Sequence, residues 1–299
     1  MSDFYGAIEA GGTKFNCIIA SGPDQILAET RIKTTQPGET LKFVLHFFQE
    51  ESRKLNVHIK GLGIACFGPL DLNQKSDTYG FITATTKAGW ANTDVVGFFE
   101  ANMNCPVAFN TDVNGAAYGE YLWGAAQDLD SFLYLTIGTG VGGGGMIGGK
   151  LLQGLVHPEM GHMKLPHNIV KDPFEGVCPF HGDCFEGMTS GPAIEARWGI
   201  RAENLPEDHP AWELEAEYLA MAMQNLICLF SPQKIILGGG VMHQTHLFPL
   251  LHGKTLKKLA GYVQNDLILH RIEDFIVPTG LGDRSGVLGA LGLGMKKPQ

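Results

Sequence analysis

The stretch Phe132–Gly149 reads FLYLTIGTGVGGGGMIGG, with an apolar run, a glycine turn that contains Thr139, and a second run that returns. Two short runs joined by a glycine turn predict a β-hairpin whose turn amides point inward, where they can hold an anion. The start of the chain has the same pattern, because Phe4–Ala10 and Phe15–Ala20 flank the turn Gly11–Lys14. Two such hairpins, one opening each half, predict a duplicated fold with a cleft between the halves.

Two nucleotide-binding motifs match this stretch in part, and both are excluded. Gly138-x-Gly140-x-x-Gly143 matches the dinucleotide fingerprint, but the pattern predicts a strand after these glycines where that motif requires a helix. Gly144-x4-Gly149-Lys150 nearly matches a P-loop, but Leu151 stands where that motif has the hydroxyl that binds magnesium.

Outward from the hairpins, the sequence predicts an α/β fold with crossover helices rather than a sandwich. Further strands are expected at Ile26–Thr35, Lys60–Phe67, Pro106–Asn110, Lys234–Leu237 and Phe275–Pro278. Helices are expected at Gly38–Lys54, Thr111–Trp123, Ala193–Trp198, Trp212–Phe230 and from near Asp283 to Lys297. We expect a first domain at residues 1–113 and a larger second domain at 114–299, with the option that the last helix packs back on the first domain.

Composition limits the classes of function. The chain has 299 residues, 44% hydrophobic and 18% charged, and a net charge of −9, which argues against nucleic acid or a membrane surface as a partner. An anionic substrate must therefore be held by local amides, helix dipoles or metal. We see no apolar run of membrane-spanning length and no signal peptide, and the scattered cysteines indicate reduced thiols in a cytoplasmic protein.

The stretch His157–Gly187, HPEMGHMKLPHNIVKDPFEGVCPFHGDCFEG, carries the strongest chemical signal. Zinc prefers four tetrahedral nitrogen and sulfur ligands. Four such side chains stand here at short spacing: His162, Cys178, His181 and Cys184. Two carboxylates, Glu159 and Glu186, adjoin these ligands, so a bound zinc would fix where they point. The alternative is a disulfide or buried thiols, with histidines that are only surface residues.

Two further features have a functional and a plain interpretation. Asp112 follows a predicted strand, where open α/β sheets bind ligands, but it could equally cap the helix that begins there. Gly238–Met242 follows another strand and forms a third glycine turn that would let a flat ligand lie against the backbone. Its alternative is a simple tight turn between a strand and a helix.

Together these motifs resemble the ROK family (repressors, open reading frames, kinases) over nearly the whole chain. The segments that carry the resemblance are Glu9–Lys14, Thr111–Asn114, Gly138–Gly142, Glu159–His162, the Cys/His cluster and Gly238–Val241. The sequence is most similar to the bacterial fructokinases of that family at Thr111–Asn114, at Thr83–Trp90 (TATTKAGW) and at Cys178–Gly187 (CPFHGDCFEG).

The resemblance implies an actin/hexokinase-like ATPase fold, made of duplicated ribonuclease H-like domains, with ATP and sugar meeting in the interdomain cleft. It implies transfer of the γ-phosphoryl group of ATP to D-fructose, giving fructose 6-phosphate. The cofactors implied are Mg2+ with ATP and a structural Zn2+. The partners expected are the sugar, ATP and a second copy in a homodimer, with no nucleic acid and no membrane.

The resemblance also implies residue roles, with Asp112 as the general base. The residues implied to hold phosphates are Gly11, Gly12, Thr13, Lys14, Gly138, Thr139 and Gly140. Those implied to line the nucleoside are Pro192, Gly238, Gly239, Gly240, Val241 and Met242. The side chains implied to contact sugar hydroxyls are Asn114, Glu159, His162 and Glu186, and His162 would bind zinc through one ring nitrogen and sugar through the other.

Two positions depart from the wider family pattern. Thr111 stands where many members have asparagine, so one sugar contact is shorter or lost, and Glu9 stands near the magnesium where many have aspartate. The open question is therefore which sugar is used. The rival functions are a ROK glucokinase, mannokinase or N-acetylmannosamine kinase, a ROK transcriptional repressor, and a zinc hydrolase. A repressor would need an N-terminal DNA-binding segment, which we do not expect here.

Overall fold

The computed structural model describes residues 3–296, and the chain divides into two units. Unit 1 takes in the residues up to Gln127, the segment Leu151–Pro158 and the residues from Arg284 onward. Unit 2 consists of Asp128–Lys150 and Glu159–Asp283. The boundary expected at residues 113 and 114 falls inside one helix, Asp112–Trp123, all of which belongs to unit 1.

The elements are numbered in chain order. The strands are β1 (Phe4–Ala10), β2 (Lys14–Gly22), β3 (Gln25–Lys33), β4 (Ile59–Cys66), β5 (Phe81–Ile82), β6 (Thr93–Asp94), β7 (Val107–Thr111), β8 (Phe132–Ile137), β9 (Val141–Ile147), β10 (Lys150–Leu151), β11 (Lys234–Gly238) and β12 (Ile276–Pro278). The helices are α1 (Pro37–Leu55), α2 (Val95–Asn102), α3 (Asp112–Trp123), α4 (Phe185–Thr189), α5 (Gly191–Trp198), α6 (Ala211–Phe230), α7 (Leu247–Leu259), α8 (Asp266–His270), α9 (Ile272–Phe275) and α10 (Ser285–Met295).

The two main sheets repeat one topology. The strand order is β3-β2-β1-β4-β7 in the first sheet and β10-β9-β8-β11-β12 in the second. β1 is antiparallel to β2 and parallel to β4, just as β8 is antiparallel to β9 and parallel to β11. The α/β class and the duplication expected from the two glycine-turned hairpins are therefore confirmed. Among the described helices, none combines the length and apolar character that crossing a membrane requires.

The first sheet of unit 1 is built from strands whose burial follows their position. β1 and β4 are central and mostly buried, whereas the edge strand β3 never buries a residue completely. Helix α1 covers one face with Leu41, Val44 and Phe48. Burying such side chains contributes roughly 1.5–3 kcal/mol each. Trp90 lies in the same core, and its indole N–H donates to the Thr35 carbonyl at 2.8 Å.

Helix α10 packs on α3 within unit 1 through glycines, which is why the last helix belongs to this unit. A Cβ on Gly289 would collide with the Gly115 carbonyl and lie 3.1 Å from the Gly119 nitrogen. The two backbones approach so closely because neither helix carries a side chain at this contact.

Replacing Gly289 with Ala should lower the free energy of unfolding by about 1–3 kcal/mol, the usual cost of overpacking a tight contact. The extra methyl group has backbone rather than flexible side-chain atoms as its neighbours, so α3 and α10 must separate. Gly253→Ala is the matched control, because a Cβ at this exposed helical position of α7 meets no atom within 4 Å. Denaturant titration of both variants should show a loss only for Gly289→Ala, and equal stabilities would contradict the packing argument.

Candidate active site and metal centre

Four side chains of unit 2 bring nitrogen and sulfur atoms together as a metal site would require: His162, Cys178, His181 and Cys184. Their donor atoms all lie within 4.8 Å of one another. The Cys178 sulfur is 3.7 Å from Nδ1 of both histidines, and the Cys184 sulfur is 3.7 Å from Nδ1 of His162. Tetrahedral zinc, with Zn–S of about 2.3 Å and Zn–N of about 2.0–2.1 Å, would separate sulfur and nitrogen by about 3.6 Å. The donor set therefore fits zinc, and both cysteines are free rather than paired in a disulfide.

Short local elements place these ligands. Cys178 and Gly182 exchange backbone hydrogen bonds of 3.2 and 2.9 Å, which closes a tight turn around His181. Gly182 has a φ of 60°, a conformation that glycine adopts readily. Cys184 directly precedes α4, and His162 ends a 3-10 turn. The ligands are thus held by short turns and by the start of a helix.

A polar network anchors the metal loop to the rest of unit 2. His167 contacts the Asp183 carboxylate through Nδ1 at 2.9 Å and the Asp172 carbonyl through Nε2 at 2.8 Å. The Asp172 carboxylate accepts hydrogen bonds from Tyr218 at 2.6 Å and from Arg197 at 3.3 Å. Burial raises the pKa of Tyr218, and the hydrogen bond to Asp172 raises it further. The hydroxyl of Tyr218 therefore stays protonated and acts as a donor. The loop is therefore fastened to α5 and α6 by protein contacts as well as by its four donors.

Three of the predicted sugar contacts lie in unit 2 around the metal group. Nδ1 of His162 faces the sulfurs, so Nε2 lies on the opposite edge of the ring. Glu159 stands at the start of the 3-10 turn, and its carbonyl accepts from the His162 amide at 3.0 Å. Glu186 accepts from the Val141 amide at 3.0 Å, and a Cβ on Gly140 would lie 2.7 Å from its carboxylate. The structure thus places Glu186 against the second glycine turn.

The predicted nucleotide elements of unit 2 converge at the carboxyl ends of β8 and β11. These parallel strands are neighbours, with Gly238 opposite Thr136, so the Thr139 turn and the Gly238–Met242 turn emerge side by side. The Gly191 amide donates to the Gly138 carbonyl at 2.7 Å, which places Pro192 and the start of α5 beside both turns. The Gly238–Met242 turn continues as a 3-10 turn that ends at His243, and helix α7 begins only at Leu247.

The first glycine turn closes the β1–β2 hairpin of unit 1. The Gly11 amide donates to the Lys14 carbonyl at 2.9 Å, and the Thr34 hydroxyl donates to the Gly11 carbonyl at 2.8 Å. Thr13 and Lys14 are exposed. Glu9, at the end of β1, accepts from Asn16 Nδ2 at 2.7 Å, a contact that the sequence does not indicate.

Asp112 lies at the carboxyl end of β7 but is not the cap of α3. Thr111 is the N-cap, and its hydroxyl accepts from the Asn114 amide at 3.1 Å. Asp112 is half-buried in the first turn and accepts from the Val113 amide at 2.9 Å. Burial raises the pKa of the Cys66 thiol at the end of β4, and the negative charge of Asp112 raises it further. The cap of α3 is thus supplied by Thr111.

Asn114 is 1% exposed, and its side-chain nitrogen donates to Asn110 Oδ1 at 3.0 Å and to the Leu152 carbonyl at 2.9 Å. Its sugar contact stays a prediction.

One further residue had no assigned role in the sequence: His157 is buried, and its Nε2 accepts from the Leu70 amide at 2.9 Å. Its only signal was its place at the start of HPEMGH.

Comparison with known proteins places the chain in one family. The protein-family model described as the ROK family matches residues 5–297. A fructokinase from Zymomonas mobilis is 42% identical over 294 residues, covering 97% of this chain and 96% of that protein. A fructokinase from Pediococcus pentosaceus is 41% identical over 286 residues, covering 96% of each. A ROK family glucokinase structure from Streptomyces griseus, in complex with glucose and AMPPNP, shares the fold with a TM-score of 0.77 at 22% identity, covering 98% of this chain and 99% of that one.

Proposed function

The chain belongs to the ROK family, and on that premise we propose that it is a fructokinase, which transfers the γ-phosphoryl group of Mg-ATP to D-fructose and forms fructose 6-phosphate. The observation that carries the proposal is full-length identity of 41–42% to proteins named fructokinase. The same observation favours fructose over the sugars of the rival kinases. Two units with matching sheets, each with a glycine turn at its first hairpin, support the kinase chemistry.

We propose that backbone amides at the glycine turns hold the phosphates. In unit 2, the Thr139 turn, the Gly238–Met242 turn and Pro192 are neighbours and together suit a nucleotide. In unit 1, the Gly11–Lys14 turn ends in two exposed residues, Thr13 and Lys14, and the Lys14 side chain supplies a cation. Amides at glycine turns bind phosphate oxygens closely because no side chain intervenes, which suits a chain of net charge −9.

Magnesium would enter with ATP, and Glu9 is the carboxylate of unit 1 beside the first glycine turn. Oxygen donors are the ligands that Mg2+ prefers, and it usually keeps several waters. The Asn16 amide group already orients one oxygen of Glu9, with a bond of 2.7 Å. We therefore propose that Glu9 faces the hydrated ion and reaches it through water.

Asp112 is proposed as the general base. Phosphoryl transfer needs alignment, charge neutralisation and one carboxylate that accepts the proton of the attacking hydroxyl. Because Thr111 supplies the cap of α3, the carboxylate of Asp112 is not needed for that purpose. The proton of the sugar hydroxyl would pass to this carboxylate as the phosphoryl group is transferred.

We propose that Asn114, Glu159, His162 and Glu186 contact the sugar hydroxyls. Zinc, when bound, would fix the ring of His162 through Nδ1 and so direct Nε2 toward a hydroxyl. The metal would be structural, because four protein donors complete a tetrahedral shell. The presence of four protein donors also argues against a zinc hydrolase, which needs an open coordination position for water.

Location and assembly are part of the proposal. We propose that the protein is a cytoplasmic enzyme, and its six free cysteines agree with that location. We propose a homodimer as the assembly, and light scattering of the purified protein would measure its mass directly.

A panel of sugars tests the assignment of the acceptor. We expect kcat/KM for fructose to exceed that for glucose and N-acetylmannosamine by about a hundredfold or more at saturating Mg-ATP, because two buried hydroxyl mismatches each cost roughly 1–3 kcal/mol. The value of kcat/KM for mannose shows how permissive the pocket is, and ATP turnover without sugar is the control. A glucose value equal to or above that for fructose would overturn the acceptor while leaving the kinase activity intact.

A further inference from the structure

We propose that His157 is a positioning residue for the acceptor sugar, because its ring holds the turn Gly68–Leu70 in place beside Asp112. The inference rests on the proposed kinase function and adds a residue to it. His157 lies in the segment Leu151–Pro158, which belongs to unit 1 although it is distant in sequence from the strands of that unit.

The contact between His157 and the turn is buried and close. The residue is 7% exposed, and its Nε2 accepts a hydrogen bond from the Leu70 amide, with a nitrogen–nitrogen distance of 2.9 Å. The ring also packs on Gly68, where a Cβ would lie 3.2 Å from Cε1 and 3.3 Å from Nε2. A buried amide without an acceptor is costly, so the turn depends on this ring nitrogen for its present arrangement.

The position of the turn connects it to the reaction. The turn follows β4, which runs parallel to β7, and Cys66 at the end of β4 is paired with Thr111. Asp112 comes directly after Thr111, so the turn and the proposed base emerge from neighbouring strands at the same edge of the sheet. Open α/β sheets bind ligands at the carboxyl ends of their strands. The turn is therefore placed to form a wall of the acceptor site next to the base.

The turn also supports the Thr83–Trp90 segment, one of the segments most similar to fructokinases. The Pro69 carbonyl accepts from the amide of Thr83 at 2.8 Å and from its hydroxyl at 3.1 Å. The Asn92 amide then donates to the Thr83 carbonyl at 3.1 Å. A displacement of the turn would therefore move Thr83 as well, so the Thr83–Trp90 segment also depends on His157 through the turn.

Two substitutions separate the acceptor nitrogen from the bulk of the ring. Glutamine can place its carbonyl oxygen near the position of Nε2, whereas asparagine is too short to reach the Leu70 amide. We expect His157→Asn to raise KM for fructose about tenfold, because a turn correctly arranged for only about a tenth of the time lowers the apparent affinity by that factor. KM for ATP should stay unchanged, and His157→Gln should restore most of the fructose affinity.

Hydrogen exchange gives a readout independent of turnover. The Leu70 amide should exchange faster in His157→Asn than in His157→Gln, and zinc content should be equal in both variants. Gln153→Ala is the control, because this exposed side chain of the same segment donates to the Leu72 carbonyl at 3.0 Å, outside the turn. We expect it to leave KM for fructose within twofold of the wild-type value.

The outcomes distinguish this role from the proposed function. Wild-type turnover on hexoses tests the kinase itself, and if another hexose is preferred, the variants are compared with that hexose. The positioning role is overturned if His157→Asn leaves KM for the acceptor within twofold of wild type. It is also overturned if KM rises equally for acceptor and ATP and glutamine restores neither, because that is the result of a general loss of structure.

Discussion

Replacing Asp112 with Asn is expected to lower kcat by about 10²–10⁴-fold, the usual cost of losing a general base. Asparagine keeps the shape of the side chain and an oxygen that can accept from the Val113 amide, but it cannot take up a proton. Thr111 remains as the cap of α3, so the melting temperature should barely move. Binding of fructose and ATP should persist, and rapid-mixing kinetics with calorimetric titration would show this separation.

Thr111→Ala is the matched control for Asp112→Asn. It removes the hydroxyl that accepts from the Asn114 amide, and loss of a cap costs about 1 kcal/mol of stability. We expect its melting temperature to fall while kcat falls far less than in Asp112→Asn. Turnover of Asp112→Asn within a few-fold of wild type would rule out the role of base.

Replacing Cys178 with Ser is expected to abolish stoichiometric zinc binding, which should be about one ion per chain in the wild type. Serine removes one of four donors, and structural zinc contributes about 10–16 kcal/mol of apparent binding energy in zinc-finger peptides, so even partial loss affects folding. The loop should loosen, the melting temperature should fall, and activity should drop because His162 loses its orientation. Elemental analysis and thermal denaturation measure these effects.

Cys228→Ser is the control for the metal experiment, since Cys228 is exposed on α6 and lies outside the donor group. It should keep both the zinc and the stability of the wild type. A freshly purified wild-type protein without zinc that stays fully active after exhaustive chelation would contradict the metal assignment.

Local sequence patterns predicted the duplicated sheets and the metal group well. Strand β1 was expected at Phe4–Ala10 and has those bounds, because an apolar run ending at a glycine turn leaves few alternatives. The short spacing from Cys178 to Cys184 likewise restricts the loop to a geometry that gathers its donors. In both cases, the residues that decide the structure are close together in the chain.

Helix α2 was not predicted, because its own residues favour other structures. Val95 and Val96 are β-branched and Gly97 is flexible, and all three lower helix propensity. The helix nevertheless begins here because the Asp94 carboxylate accepts from the Gly97 amide at 2.7 Å, and Val95, Val96 and Phe99 are buried. Tertiary packing thus overrides local preference.

The unit boundaries and His157 could not be predicted for a related reason. Each unit is assembled from separate segments, so no single point in the sequence divides them. The bond between His157 and Leu70 joins residues 87 positions apart, and that between Asn114 and Leu152 joins residues 38 apart. Contacts of this range leave no periodic pattern or spacing in a single sequence.

If this chain phosphorylates fructose, ADP and the sugar phosphate must form together in one reaction. Purified protein is incubated with Mg-ATP and fructose, ADP is quantified, and the sugar product is identified by phosphorus and carbon NMR. We expect equimolar ADP and fructose 6-phosphate, with ADP formation falling to a background rate when fructose is omitted or Asp112→Asn is used. ADP formation no faster with fructose than without any sugar would contradict the claim.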